Sequence, residues 1–121
     1  LIGITDSLQG AGLEPGEFPM TDGRMMTTRD GAARLVANGT LVGSVITMNR
    51  AFANLVEACG VVAADAARFT STNPARAMGV GHELGSLEVG KKANLAVLDK
   101  KYECVATYIA GRKVYEKGTP S

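Results

Sequence analysis

Short apolar runs separated by polar turns divide the first part of the chain into candidate strands. A glycine-bounded apolar run, typical of a buried strand, comes first: Leu1, Ile2 and Ile4. Residues 13–19 are rich in Gly and Pro and are expected to form turns. Two further strands are predicted over residues 24–28 and 33–36. Because Asp30-Gly31 lies between them and Asp-Gly suits a tight turn, the pattern predicts a β-hairpin.

After the predicted hairpin, apolar residues recur at the spacing of an α-helix. The residues predicted to share one face of the first helix are Met48, Phe52, Leu55, Val56 and Cys59. Gly60 is placed to end that helix, and a second helix is predicted over residues 63–69. Asn73-Pro74 then predicts a new helix start, with Asn73 as the N-cap and Pro74 in the first turn.

From Gly85 onward the pattern changes to strands. These are predicted over residues 87–89, 95–98 and 105–109, and Gly111-Arg112 is predicted to turn the last of them into residues 113–115. Helices and strands therefore occupy separate stretches, and the predicted fold class is α+β.

Charge and cysteine content indicate which partners and which compartment to expect. The 13 basic and 12 acidic residues nearly cancel, so the balance favours neither nucleic acid nor an anionic membrane as a partner. No stretch approaches the ~18 apolar residues of a membrane span. Cys59 and Cys104 lie far apart and outside any CxxC pattern, as expected for reduced thiols in a cytoplasmic protein, although a disulfide stays an alternative.

Length limits the architecture. With 121 residues the chain is too short for a complete eight-unit barrel, which needs about 250 residues. The sequence also begins within an apolar run, without a polar lead-in. We therefore expect it to be the C-terminal piece of a longer protein.

Asp6 is the first candidate for chemistry. It follows the first apolar run and precedes a Gly-containing loop, which is where barrel enzymes place catalytic groups. The local pattern by itself favours a different interpretation, in which the carboxylate hydrogen-bonds its own backbone in a turn.

Two longer stretches carry a family resemblance. Residues 72–79 read TNPARAMG and residues 85–99 read GSLEVGKKANLAVLD, and together they resemble the C-terminal signature of the amidohydrolase superfamily. In the first half, Ile4-Thr5-Asp6, Asp30-Gly31, the run NGTLVGS over residues 38–44 and Thr47-Met48 resemble the N-acetylglucosamine-6-phosphate deacetylase family.

The resemblance implies a domain organisation. Residues 1–84 would be the end of a TIM barrel, with its last strand, its last helices and a β-hairpin insertion. Residues 85–117 would be strands returning to a small β-sandwich domain, and residues 118–121 a frayed tail.

The resemblance also implies a site. Asp6 would act as general base toward a metal-activated water and then as general acid toward the leaving amine. The substrate-contacting loop would be Leu41, Val42, Gly43 and Ser44. Val42 departs from the smaller residue of the family pattern, and Ser44 has an alternative role as a helix N-cap. A divalent metal such as zinc is implied, with all ligands upstream of this chain. His82, the only histidine, is interpreted as a surface loop residue.

The function implied for the parent protein is metal-dependent hydrolysis of N-acetylglucosamine-6-phosphate to glucosamine-6-phosphate and acetate, with this piece inactive by itself. The expected substrate is an amino-sugar phosphate, and a cytoplasmic homodimer is implied, with no nucleic-acid or membrane partner. Two alternatives stay open, namely another amidohydrolase of the cyclic-amide type and a non-catalytic β-rich interaction module.

Overall fold

A computed structural model describes residues 1–119, so Pro120 and Ser121 of the predicted tail lie outside the described residues. The chain forms two compact units. The hairpin unit is Ile4–Met48, and the helix–strand unit joins Leu1–Gly3 to the chain from Asn49 onward. Helices and antiparallel sheets make the chain α+β, as predicted. The proposed domain boundary between residues 84 and 85 stays a prediction.

The hairpin unit is built on an antiparallel sheet. Its strands, in spatial order, are β1 (Glu17–Pro19), β2 (Met25–Arg29), β3 (Ala32–Leu35) and β4 (Leu41–Ser44). The predicted hairpin is confirmed as β2 and β3. Asp30 and Gly31 join these strands with φ angles of 51° and 78°, a pair of left-handed residues that matches the twist of a two-residue turn. Strand β1 lies in the stretch expected to form turns, and that expectation was wrong for residues 17–19.

Alternation along β2 and β3 produces the core of this sheet. Met26 pairs with Leu35 and Thr28 pairs with Ala33, and all four residues are buried. Successive residues of a strand point to opposite faces, so these two cross-strand pairs share one face. The Thr28 hydroxyl donates to the Gly16 carbonyl at 3.3 Å and accepts from the Gly16 N–H at 3.1 Å, which satisfies the one buried polar side chain recorded among residues 1–119.

The first apolar run is not a buried strand, contrary to the sequence prediction. Leu1 is 81% exposed and Ile4 is 74% exposed, and residues 1–6 lie outside every strand. A buried strand needs hydrogen-bonding neighbours along its length and apolar cover on its faces. Within the described part of the helix–strand unit, Leu1–Gly3 makes only two hydrogen bonds: the Gly3 N–H donates to the Phe69 carbonyl, and the Asn73 side chain donates to the Leu1 carbonyl.

The helical elements are α1 (Met48–Glu57), α2 (Ala63–Ala67), a π-helical segment (Arg68–Thr72) and α3 (Asn73–Ala77). The predicted apolar face of α1 is half-buried at Phe52, Leu55 and Val56, and the Phe52 ring packs against Tyr102 at a centroid distance of 5.4 Å. Cys59 is exposed and lies beyond the end of α1, so its prediction as a helix-face residue was wrong. No helix of residues 1–119 has the length and apolar character that crossing a bilayer requires.

Asn73 does not begin a new helix. Its φ and ψ of −67° and −45° are helical, and the π-helical segment carries α2 into α3 without a break. The Asn73 N–H bonds to the Arg68 carbonyl five residues back; in the same register Pro74 would bond to Phe69, but proline has no N–H. The Phe69 carbonyl instead accepts the Gly3 N–H at 2.9 Å, and the Asn73 side chain donates to the Leu1 carbonyl at 2.8 Å rather than capping.

The helix–strand unit ends in an antiparallel sheet of three strands, β5 (Leu95–Leu98), β6 (Cys104–Ile109) and β7 (Arg112–Glu116). These confirm the last three predicted strands, and Ala110-Gly111 supplies the turn between β6 and β7 with φ angles of 50° and 78°. The strand predicted over residues 87–89 is absent; Leu87 and Val89 are exposed, and the nearby backbone bonds are turn bonds such as Lys91 N–H to Glu88.

Candidate functional site

Asp6 lies beside the end of β4 in the hairpin unit. The Ser44 N–H donates to the Asp6 carbonyl at 2.9 Å, and the Leu8 N–H donates to the Ser44 carbonyl at 2.8 Å. Ser7 and Ser44 thereby form an isolated parallel bridge. The structure thus brings together Asp6 and the end of the loop Leu41–Ser44, the two parts of the site predicted from the sequence.

Gly43 allows this close approach. An ideal Cβ atom built on Gly43 would lie 2.9 Å from the Asp6 carbonyl oxygen and 3.0 Å from Leu8 Cγ. Both distances are shorter than ordinary van der Waals contacts, and the first involves backbone that cannot easily move. A side chain at residue 43 would therefore push β4 away from Asp6.

The Asp6 backbone adopts an unusual conformation. Its φ of 48° lies in the left-handed region, which non-glycine residues seldom occupy and which must be held by the surrounding structure. Such conformations cluster at functional sites, although Asp and Asn also tolerate them in turns. The conformation therefore needs a second observation before it indicates function.

The state of the Asp6 carboxylate argues against the turn interpretation. It is exposed, and no hydrogen bond or ion pair to it is found among residues 1–119. Asp22 and Asp99 differ, because their carboxylates accept backbone N–H groups two residues ahead, at 3.1 Å and 2.8 Å. Hydrogen bonds from the backbone N–H groups of Glu103 and Lys101 lower the pKa of the Asp99 carboxyl below its usual value. The turn interpretation of Asp6 requires a bond of this kind, which the carboxylate does not make.

Ser44 is not a helix N-cap, contrary to the alternative drawn from the sequence. Helix α1 begins at Met48, four residues further on. The Ser44 hydroxyl donates to the Thr5 carbonyl, and the Ile46 N–H donates to the hydroxyl at 3.4 Å. The side chain therefore links β4 to the segment that carries Asp6.

Leu41 and Val42 form the outer part of the predicted loop. Leu41 is exposed and Val42 is half-buried. The register of β4 against β3 shifts here, since Gly43 pairs with Ala33 while Leu41 pairs with Arg34, so Val42 is the extra residue of a β-bulge. Bulges redirect side chains and are common beside active sites. No sequence signal reveals this bulge, because Val42 continues an ordinary apolar strand pattern.

Ser7 is a residue of the candidate site that sequence reasoning did not single out. Its hydroxyl donates to the Ile46 carbonyl at 3.0 Å, which adds a second side-chain link between the Asp6 segment and the chain after β4. The available signal was its position directly after Asp6.

The described residues do not fit a metal centre. Nowhere in residues 1–119 do three or more His, Cys, Asp or Glu side chains come together in a way that could hold an ion. His82 is exposed in a turn after α3, and its Nε2 atom lies 3.3 Å from the Glu83 carboxylate, in agreement with its interpretation as a surface residue.

A separate groove of about 630 Å³ lies on the sheet of the hairpin unit, and none of the predicted site residues lines it. Its wall includes Thr27, Arg29 and Arg34. The Arg34 guanidinium donates to the Gly39 carbonyl at 3.1 Å, which explains this arginine as part of the turn before β4.

Comparison with known proteins defines the class. The sequence model of the amidohydrolase family matches residues 13–115, and the chain belongs to that family.

Two individual relatives show which members of the family this chain is similar to. The chain is 37% identical over 109 residues to the N-acetylgalactosamine-6-phosphate deacetylase of Escherichia coli O157:H7, covering 90% of this chain and 28% of the relative. It is 37% identical over 110 residues to the N-acetylglucosamine-6-phosphate deacetylase of Haemophilus influenzae, covering 90% and 29%. The chain thus spans less than a third of the length of these two relatives.

A solved structure agrees with this likeness. The crystal structure of N-acetylglucosamine-6-phosphate deacetylase from Pasteurella multocida superimposes with a TM-score of 0.85 at 35% identity, covering 91% of this chain and 28% of the other. The similarity therefore extends to the arrangement of the backbone and includes most of the described residues.

Proposed function

We propose that this chain is part of a deacetylase that hydrolyses N-acetylglucosamine-6-phosphate to glucosamine-6-phosphate and acetate, and that the chain by itself is inactive. The observation that carries the proposal is the unpaired carboxylate of Asp6 beside Gly43 and Ser44, in a chain that deacetylases match over nine tenths of its length. Amide hydrolysis needs a group that accepts and returns a proton, and Asp6 is suited to that role.

The proposed role of Asp6 has two steps. The carboxylate accepts a proton from the water that attacks the acetyl carbonyl carbon. It then donates that proton to the amine nitrogen as the carbon–nitrogen bond breaks, which releases acetate and the free amino sugar. Leu41, Val42 and Gly43 would contact the sugar phosphate through the backbone of the bulged strand, where Gly43 leaves room for close approach.

The proposal for the longer protein includes elements that the described residues do not supply. Family members of this kind are generally metal-dependent, and a divalent ion such as zinc would need ligands from outside this chain. We also propose that residues 1–6, which form no strand in this chain, pair as the last strand of a barrel when the other strands of the longer protein are present, and that β5–β7 belong to a small sandwich domain. A cytoplasmic location and a homodimer complete the proposal, and sedimentation of the longer protein tests the dimer.

N-acetylgalactosamine-6-phosphate is a second candidate substrate. A relative named for that sugar is 37% identical to this chain, the same value as for the relative named for the gluco sugar. Acetate release from each of the two sugars by the whole protein decides between them.

Asp6→Asn in the whole protein tests the role of Asp6. The amide cannot act as a base, so kcat for acetate release should fall by about 10²- to 10⁴-fold. Asp30→Asn is the matched control, because Asp30 is also an exposed aspartate of the hairpin unit with a positive φ, and it should keep full activity. Retained turnover in Asp6→Asn would remove Asp6 from the mechanism.

A further inference from the structure

All the polar groups of Ser44 are used within the hairpin unit. Its N–H donates to the Asp6 carbonyl at 2.9 Å, and its carbonyl accepts the Leu8 N–H at 2.8 Å. Its hydroxyl donates to the Thr5 carbonyl and accepts the Ile46 N–H at 3.4 Å. Three of these four partners lie within the short stretch from Thr5 to Leu8, so one residue of β4 holds the chain on both sides of Asp6.

This stretch needs to be held. Asp6 has a φ of 48°, a left-handed conformation that costs free energy for a residue with a Cβ atom, less for Asp than for most, and neighbouring bonds stabilise it. The bonds of Ser44 fix the carbonyl before Asp6, the carbonyl of Asp6 itself and the N–H group two residues later. They therefore determine the backbone from which the Asp6 carboxylate extends.

We propose that Ser44 is a positioning residue for Asp6 and not a substrate contact; this inference rests on the proposed function of Asp6. The single proton of the Ser44 hydroxyl is donated to the Thr5 carbonyl, so it is not available to a sugar hydroxyl or phosphate. Because Gly43 has no Cβ atom, β4 can lie close enough to the Asp6 carbonyl for these bonds to form.

The roles of positioning and of substrate contact predict different kinetics. A misplaced general base slows the chemical step and leaves substrate binding unchanged, whereas a lost substrate contact raises KM. A displacement of about 1 Å can lower the rate by about a hundredfold. Removal of the Ser44 hydroxyl should therefore lower kcat by about ten- to a hundredfold, with KM close to that of the unaltered enzyme.

The test uses the whole protein with Ser44→Ala, Asp6→Asn and the double variant. If Ser44 acts through Asp6, Ser44→Ala lowers kcat in the presence of Asp6 and has no further effect on the residual activity of Asp6→Asn. Thr28→Val is the control for general destabilisation, since it removes a hydroxyl with two bonds to Gly16 in the same unit and leaves the Asp6 segment untouched. Its melting temperature should fall while its kcat stays unchanged.

Each result has a definite meaning. A raised KM with unchanged kcat in Ser44→Ala would overturn the proposal in favour of substrate contact, and equal losses with and without Asp6 would overturn it as well. A fully active Ser44→Ala beside an inactive Asp6→Asn would overturn only the role of Ser44, whereas an active Asp6→Asn contradicts the proposed function itself. If Ser44→Ala does not fold, Ser44→Cys enters the same assays, because its thiol fills the space but donates a weaker hydrogen bond.

Discussion

The hairpin unit and the helix–strand unit are stabilised by different kinds of contact. In the hairpin unit, β2 and β3 bury two large apolar side chains, Met26 and Leu35, opposite each other. Among the described residues of the helix–strand unit, the buried apolar residues are all alanines: Ala51, Ala53, Ala66 and Ala106. The larger apolar residues of that unit are half-buried or exposed, and every residue of β7 is exposed.

This difference indicates what each unit depends on. The hairpin unit has an apolar core of its own, which stabilises the sheet whose strand β4 bonds to the Asp6 segment. The helix–strand unit depends on close backbone approach and on hydrogen bonds, such as those from the Ser71 and Thr72 hydroxyls to the Gly85 carbonyl at 3.2 Å and 2.7 Å. The energetic consequences of substitutions should differ accordingly.

The largest difference in stability is expected between two methionine substitutions, one in each unit. Met26→Ala removes a fully buried side chain from the sheet of the hairpin unit and should lower the free energy of unfolding by about 2–5 kcal/mol. Met78→Ala removes a side chain that is 77% exposed in the helix–strand unit and should change it by no more than about 0.5 kcal/mol. Urea unfolding measures both, and equal losses would contradict the difference between the units.

A glycine pair tests the close backbone contact of the helix–strand unit. Gly85 and Gly90 share a φ of 92°, so alanine is strained at either position. A Cβ atom on Gly85 would also lie 2.5 Å from the Ala75 Cβ and 3.1 Å from the Ser71 carbonyl oxygen, whereas one on Gly90 meets nothing within 4 Å.

Gly85→Ala should therefore lower the free energy of unfolding by about 1–3 kcal/mol more than Gly90→Ala. Urea titration of both variants gives this difference directly. If the two variants lost the same free energy of unfolding, the close approach of Gly85 to Ala75 would add nothing to the cost of backbone strain.

The parts of the fold that could be predicted correctly from the sequence are those determined by residues close together in the chain. The β2–β3 hairpin follows from alternation and from Asp30-Gly31, because both signals lie within a few residues. The break predicted at Asn73 was wrong because a π-helical segment carries the helix onward, and the hydrogen bonds that join this region to Leu1–Gly3 link residues far apart in the sequence, which a local pattern does not reveal. Strand β1 was missed because its pairing with β2 outweighs the turn signals of its Gly and Pro residues.

The candidate site was predictable only in part. Asp6 had a weak local signal, and the family resemblance selected it together with Leu41–Ser44. The structure adds the contacts: the bulge at Val42, the approach of Gly43 and the bonds of Ser44 all depend on how β4 pairs, which the sequence pattern does not specify. Ser44 could be assigned to a cap or to the substrate from its residue type, but its bonds to the Asp6 segment required the structure.

The smallest effect on stability is expected from breaking two exposed ion pairs, which differ in how many residues separate their partners in the sequence. In the hairpin unit, Arg24 pairs with Asp22 at 2.6 Å, two residues away. In the helix–strand unit, Lys92 pairs with Glu83, nine residues away, and the Lys92 N–H also bonds to the Glu83 carbonyl at 2.9 Å. Hydrogen bonds from these cations lower the pKa of both carboxyls below their usual values.

A lowered carboxyl pKa means that the unfolded chain binds more protons than the folded one, so each pair stabilises the protein above the ordinary pKa. For Glu83 that value is 4.5, and the contribution is lost as pH falls through the lower pKa of the folded state. The Asp22–Arg24 pair can persist in the unfolded chain because its partners are only two residues apart, so its net contribution to stability is smaller. Lys92→Gln should therefore lower the melting temperature slightly at neutral pH and by less at about pH 3, while Arg24→Gln should change it at neither pH. Melting curves of the two variants at both pH values test this, and an equal effect of Arg24→Gln would show that chain separation does not decide the contribution of such pairs.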